Sequence, residues 1–219
     1  MPRRSTIPDP DLLAAAEPPT AVVAPGVVLL RRFADSAALS REIDRVAAAA
    51  PFRRLTTPGG GQMSVAMTNC GAVGWHSDAS GYRYVANDPL SGRPWPAMPP
   101  AFAALAAAAA AVAGFGAFAP DCCLVNRYLA GTQMGVHRDF DELDLRHPIV
   151  SVSIGLPARF VWHGARRKDP PREVIVRDGD VLVWGGAARP GYHGVRRIAP
   201  GTRPGDAQLR YNLTFRRAR

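Results

Sequence analysis

The chain is 219 residues long, 47% hydrophobic and 21% charged, which excludes a wholly disordered protein and allows a core to form without disulfide staples. Its 21 glycines and 21 prolines fit a loop-rich globular fold. The formal net charge of +9 favours anionic partners, nucleic acid first, although Lys168 is the only lysine and the excess is otherwise arginine.

The first residues, Met1 to Pro19, are proline-studded and lack a hydrophobic period, so they read as a lead-in or an extended arm. Arg3-Arg4 is followed by polar residues rather than an apolar run, and no secretory signal is expected. Gly26 to Phe33 reads as a strand. Asp35 or Ser36 then caps a helix to about Ala50, with Leu39, Ile43 and Val46 on one face. Pro51 to Pro100 has loop and hairpin composition, with Trp75, Tyr82, Tyr84 and Trp95 spread among glycines and prolines. An Ala-rich helix follows from Ala101 to Ala113 and stops at Gly114. Its apolar stretch, Phe102 to Val112, is too short and too weakly hydrophobic to span a bilayer.

Beyond Asp121 the period becomes two. Cys122–Tyr128, Ile149–Gly155, Arg159–Trp162, Glu173–Arg177, Val181–Trp184, Tyr192–Ile198 and Gln208–Arg216 read as strands bounded by turn residues. Seven short strands of this kind predict a sandwich or jelly-roll barrel, with no internal repeat and no linker. The three cysteines, two of them adjacent as Cys122-Cys123, form neither a disulfide framework nor a spaced zinc site. A cytoplasmic protein is the simple reading.

Chemistry is suggested first by His137-Arg138-Asp139. In a strand, residues i and i+2 share a face, so His137 and Asp139 are expected to point one way. His193 lies in another predicted strand of the same barrel. Two histidines and an aspartate suit the facial triad of a non-haem Fe(II) oxygenase, and zinc hydrolase chemistry uses similar ligands. The C-terminal strand favours the first. Period two places Arg210, Asn212, Thr214 and Arg216 on one face, and Tyr211, Leu213 and Phe215 on the other. Two guanidiniums inside a barrel are costly unless an anion neutralises them, and a small dicarboxylate meets that need. Asn126 and Tyr128 share one face of their own strand and offer further polar groups.

The ordered set Asn126-Arg127-Tyr128, His137-Arg138-Asp139-Phe140-Asp141-Glu142, the isolated His193 and Arg210-Tyr211-Asn212-Leu213-Thr214-Phe215-Arg216 resembles the AlkB family of Fe(II)/2-oxoglutarate-dependent dioxygenases, its bacterial DNA-repair members above all. The likeness runs from about Gln62 to Arg217 and includes Met63 to Gly71, Trp95 to Pro99 and Trp184-Gly185-Gly186. It implies an α+β fold: a double-stranded β-helix (jelly-roll) with supporting N-terminal helices and a nucleotide-recognition lid. Within one domain, residues 1–20 would be a flexible lead-in, 21–115 the extension and lid, and 116–219 the catalytic core.

The resemblance further implies that His137, Asp139 and His193 bind Fe(II), and that Asn126, Tyr128, Arg210, Asn212 and Arg216 hold 2-oxoglutarate, with O2 as the second co-substrate. Trp75 and His137 would sandwich a flipped methylated base whose exocyclic amine Asp141 reads. Tyr82, Thr57 and Arg167 would contact the substrate strand. The implied reaction is oxidative demethylation of 1-methyladenine and 3-methylcytosine in DNA, preferably single-stranded, by a monomer. Two alternatives stand beside it: an oxygenase acting on RNA, protein or a small molecule, and a non-catalytic nucleic-acid-binding barrel with a structural metal. The chain departs from the family at His76 to Ser80 and at Arg138 and Phe140, which puts strand preference and sequence context in question. His76, His147 and His163 have no partner in the motif and read as structural or surface residues.

Overall fold

Alternation along the strands sorts this chain into two layers of core. A computed structural model describes residues 17–201 and 208–219, so most of the expected lead-in, residues 1–16, lies outside the described residues. In chain order the elements are β1 (Thr20–Ala24), β2 (Val27–Leu30), α1 (Ser36–Ala49), β3 (Arg53–Thr56), β4 (Gln62–Gly71), β5 (Gly74–Asp78), β6 (Gly81–Val85), α2 (Pro100–Val112), β7 (Cys122–Leu129), β8 (Met134–His137), β9 (Ile149–Gly155), β10 (Ala158–Gly164), β11 (Arg172–Val176), β12 (Val181–Trp184), a 3₁₀ turn (Gly186–Ala188), β13 (Tyr192–Val195) and β14 (Leu209–Arg216). A large sheet runs β1-β2-β12-β9-β14-β7-β4-β3, a smaller one β11-β10-β13-β8, and β5-β6 form a separate hairpin. The pairings are antiparallel, as the expected jelly-roll requires.

One face of the large sheet is apolar and covered by the helices. Val125, Val150, Val152, Val183, Leu213 and Phe215 pack with Ile43 and Val46 of α1 and Phe102 and Ala106 of α2. The helices form where expected. The Asp35 side chain accepts from the Ala38 N–H at 3.0 Å as the cap of α1, and α2 ends before Gly114, whose φ of +86° an L side chain resists. Cys122 and Cys123 are adjacent residues of β7, both buried free thiols, which supports the plain strand reading of the cysteine pair. The opposite face turns toward the small sheet, where Leu124, Tyr128, Leu182 and Trp184 meet Phe160 and Trp162.

The structure corrects several local expectations. Residues 51–100 hold the expected hairpins, β3-β4 and β5-β6, but also a strand of the large sheet that their composition does not predict: β4 is ten residues long and pairs with β7 from Ala66 to Gly71. Its alternation of Met63, Val65 and Met67 with small and polar residues was hidden by flanking glycines. An edge strand, β1, precedes the expected one; two of its five residues, Thr20 and Val22, are exposed, Val22 to 72%. The strand expected over Gly26–Phe33 shrinks to β2, because Gly26 (φ +75°) makes the turn and Arg32 (φ +49°) ends the run. The strand expected to reach Ile198 ends at Val195. Most relevant to the site, β8 ends at His137, so Asp139 is not on a strand. The shared direction of His137 and Asp139 comes from the turn out of β8 rather than from the pleat.

Candidate metal and co-substrate site

Between the two sheets lies a cavity of about 750 Å³. Its floor is the polar face of the large sheet, and pairing register lays that face out in rows. Arg210 is flanked by Tyr128 and Gly155, Asn212 by Asn126 and Ser153, and Thr214 by Leu124 and Ser151. Across the cavity, His193 of β13 stands directly opposite His137 of β8.

His137, Asp139 and His193 converge, with ligand atoms all within 4.8 Å of one another. The Asp139 carboxylate lies 3.8 Å from His137 Nε2 and 3.9 Å from His193 Nε2. Those separations are too long for hydrogen bonds and leave room for an ion between the three groups. Each imidazole points Nδ1 at a backbone carbonyl: His137 at Gly135 (2.8 Å) and His193 at Gly191 (3.0 Å). A carbonyl only accepts, so Nδ1 carries the proton and Nε2 keeps its lone pair for a metal. Burial and neighbouring His137 pull the His193 pKa down to about 4, which keeps it neutral. Burial alone would raise Asp139, but Arg216, His193 and His137 hold its carboxyl well below the usual carboxylate range. Two imidazoles whose Nε2 atoms face the cluster and one carboxylate fit a divalent iron that keeps open positions.

The floor fits a small dianion. Arg210 is 2% exposed, donates to Ser153 Oγ at 2.9 Å and Leu156 O at 3.4 Å, and has no carboxylate within ion-pair distance among the described residues. Burial lowers its pKa to about 10, so it remains charged at neutral pH. Its Nε, Arg216 Nη1 and Asn126 Oδ1 are buried without hydrogen-bond partners, and all three residues line the cavity. Unpaired buried polar atoms are costly, and a bound carboxylate would relieve the two arginines. Tyr128 contributes a buried phenol, whose pKa burial raises to about 12. Asn212 differs from its neighbours. Its amide donates to Ser151 Oγ and Val152 O and accepts from Asn126 and Thr214, so the protein already uses both of its ends.

The two arginines of β14 are not equivalent. Arg216 donates from Nε and Nη2 to Asp139 Oδ2 at 3.1 and 2.8 Å, and its Nε lies 3.3 Å from Glu142 Oε1. Glu142 also accepts from Tyr84 Oη at 2.6 Å and pairs with Arg189 at 3.0 Å. Arg189 in turn donates to the carbonyls of Asp139 and His147. The sequence reading assigned no role to Glu142, Tyr84 or Arg189. Glu142 closes the quoted His137–Glu142 stretch and so carried a faint signal. Arg189 sits in a Gly-Ala-Ala-Arg-Pro turn that carried none.

At the rim, the structure gathers the residues expected to touch substrate around the cavity mouth. Thr57, Trp75, Tyr82, Asp141 and Arg167 all line it, as does His137. Trp75 is partly buried; its ring stacks on Tyr82 at 5.5 Å, and its indole N–H donates to Asp141 at 2.9 Å. Two of the positions that depart from the family pattern also meet, with the Arg138 guanidinium 4.5 Å from the Phe140 ring centroid and 5.5 Å from that of Tyr192. The unassigned histidines are accounted for within the fold: His76 and His147 face Asp78 and Asp144, and His163 Nδ1 faces the Asp169 carbonyl.

Comparison with known proteins gives this geometry a context. The 2OG-Fe(II) oxygenase superfamily pattern matches residues 26–216. The chain is 51% identical over 210 residues to the alpha-ketoglutarate-dependent dioxygenase AlkB of Salmonella typhimurium, covering 95% of this chain and 97% of that protein. The AlkB of Escherichia coli gives the same identity and coverage. Among solved structures, that of OsALKBH1 superposes with a TM-score of 0.80 at 28% identity, covering 91% of this chain and all of the other.

Proposed function

The chain belongs to the 2OG-Fe(II) oxygenase superfamily, and from that premise we propose that it removes N-methyl groups oxidatively from 1-methyladenine and 3-methylcytosine in DNA, preferably single-stranded. The enzyme is an Fe(II)/2-oxoglutarate-dependent dioxygenase that consumes O2. One observation carries the reading: a two-histidine, one-carboxylate cluster shares its cavity with a buried arginine, Arg210, that has no carboxylate partner among the described residues. A zinc hydrolase or a structural metal site has no use for that second feature. The positive charge of the chain and its likeness to the AlkB proteins support nucleic acid as the substrate.

Iron bound by His137, Asp139 and His193 would supply hydroxylation of a methyl C–H bond, coupled to conversion of 2-oxoglutarate and O2 to succinate and CO2. The chain's own groups prepare that step. Arg210 receives one carboxylate of the co-substrate in a dry floor, where a bidentate charged pair is strongest, while Tyr128 and Asn126 border it. Arg216 supplies Nη1 toward the other end. Trp75 and His137 flank the base, Asp141 accepts from its exocyclic amine, and Tyr82, Thr57 and Arg167 steady the strand. Methylation on a pairing edge weakens base pairing, so extracting the damaged base costs less than extracting an intact one. The hydroxymethylated nitrogen then releases formaldehyde. The protein acts as a cytoplasmic monomer in this reading. Among the described residues no helix is long and apolar enough to cross a membrane.

The test is mass spectrometry of a single-stranded oligonucleotide carrying one 3-methylcytosine, incubated with enzyme, Fe(II), ascorbate and 2-oxoglutarate. Loss of one methylene mass with matching succinate is expected, and Asp139→Ala should stop both. An unchanged oligonucleotide with succinate still forming would move the substrate to RNA, protein or a small molecule.

A further inference from the structure

The four charged groups behind the metal cluster form a closed chain: Asp139, Arg216, Glu142 and Arg189. Their side chains are nearly out of solvent, at 10%, 6%, 1% and 2% exposure. Two positive and two negative charges balance there, so the chain is self-compensated without help from the cavity. Glu142 is its centre, because each oxygen meets a different donor set. Oε1 receives Tyr84 Oη at 2.6 Å and faces Arg216 Nε at 3.3 Å, while Oε2 faces Arg189 Nη2 at 3.0 Å. Arg189 spends its other nitrogens on the carbonyls of Asp139 and His147, which staples both sides of the loop that carries Glu142.

This arrangement decides which part of Arg216 is free. A guanidinium is a rigid planar fork. With Nε donating to Asp139 and lying 3.3 Å from Glu142 Oε1, and Nη2 donating to Asp139, Nη1 is the nitrogen left buried without a hydrogen-bond partner among the described residues. Without the Glu142 anion, Arg216 would pair with Asp139 alone and its plane would be free to turn. We propose that Glu142 is a positioning residue for the co-substrate, holding Arg216 from behind so that Nη1 is presented to a 2-oxoglutarate carboxylate. The inference rests on the 2-oxoglutarate reading above. It assigns Glu142 no contact with the co-substrate and no metal ligation.

Glu142→Gln tests it sharply, because donors face both ends of the side chain and no amide orientation satisfies them all. The measurements are equilibrium binding of Mn(II) to the full-length protein and of 2-oxoglutarate to the Mn(II)-loaded protein. Loss of the buried anion that pairs with Arg216 predicts a Kd for 2-oxoglutarate raised about tenfold or more, with the Mn(II) Kd within about threefold by the same arithmetic. In turnover, KM for 2-oxoglutarate should rise while kcat at saturating co-substrate holds. Unchanged 2-oxoglutarate affinity in the folded variant overturns the proposal, as does a parallel loss of Mn(II) affinity, which would mean that Glu142 acts on Asp139. Should Glu142→Gln fail to fold, Glu142→Asp keeps the charge but withdraws it by one methylene. The same split between the two affinities then supports the proposal, and unchanged binding or a second failure to fold overturns it. A wild-type protein that takes Mn(II) but no 2-oxoglutarate would instead defeat the parent reading.

Discussion

The floor of the cavity and its rim hold their functional groups by different means. On the floor, Asn126, Arg210 and Asn212 are fixed by strand register in the interior of an eight-stranded sheet and are less than 9% exposed. At the rim, Trp75 and Tyr82 belong to a two-stranded hairpin outside both sheets, and Tyr82 is 48% exposed. Two side-chain hydrogen bonds tie that hairpin to the loop after the metal ligands: Trp75 to Asp141 and Tyr84 to Glu142. Groups that must hold a small charged co-substrate in one pose are held by the backbone ladder. Those that must admit a polymer sit on a two-stranded ladder of their own, joined to the rest of the fold through side-chain contacts such as Asn69 with the Trp75 backbone and Ser77 with Thr56. The division fits the general rule that the movable parts of a site come from its least stable elements.

If the floor is built for an anion, removing its unpaired cation should cost function without costing stability. Arg210→Met replaces the guanidinium with an apolar chain in a site that offers no carboxylate partner among the described residues. Losing a buried arginine–carboxylate contact predicts 2-oxoglutarate affinity weakened roughly a hundredfold or more. The melting temperature without co-substrate should hold or rise, because an uncompensated buried charge is gone. Unchanged affinity, measured by titration of the Mn(II)-loaded protein, would break the comparison at its strongest point.

Acid sharpens the contrast between the buried interior of the cavity and the hairpin through one histidine in each. His193, on the small sheet across from the floor, has its pKa lowered to about 4 by burial and His137, against about 6.5 in the unfolded chain. Between those values the unfolded chain takes up a proton that the folded one refuses. Metal-free stability should therefore fall as pH drops from about 6.5 to 4, by up to about 3 kcal/mol from this residue. His76 on the hairpin is also lowered by burial, with Asp78 opposing, and should contribute less of the same sign. Chemical denaturation across this range checks both: His193→Gln should flatten the profile more than His76→Gln. Equal slopes in the two variants would erase the distinction.

The same division explains what could be read in the sequence. Period two was enough to place Arg210, Asn212 and Arg216 on one face and Leu213 and Phe215 on the other, because a regular strand converts spacing directly into direction. The structure bears that sorting out. Spacing did not reveal that Asp139 leaves the strand, nor that Arg216 pairs with Asp139 and Glu142 while Arg210 has no carboxylate partner, since turns and ion pairing depend on distant parts of the chain. Arg189 lies 50 residues from the Asp139 carbonyl it holds, and no local pattern announces such a contact. β4 is hard to read for a related reason: its hairpin with β3 is local, but β7, which pairs with its other edge, begins 51 residues after β4 ends.

The smallest expected effect falls at the rim and decides whether Trp75 serves substrate or fold. Its position allows either, because the ring packs partly against the core between the sheets yet lines the cavity. Stacking on a base is worth about 1–3 kcal/mol, so Trp75→Ala should weaken binding of a 3-methylcytosine oligonucleotide by roughly tenfold to a hundredfold. The floor is untouched, so succinate formation without oligonucleotide should persist at the wild-type rate. Asp141→Asn offers a finer cut, because it keeps an acceptor for the Trp75 indole N–H while removing the carboxylate expected to read the base. It should reduce demethylation while leaving the melting temperature unchanged. If Trp75→Ala instead lowers demethylation and uncoupled succinate formation equally, with a matching fall in melting temperature, the ring is a core residue and the rim is less separable from the floor than its hydrogen bonds suggest.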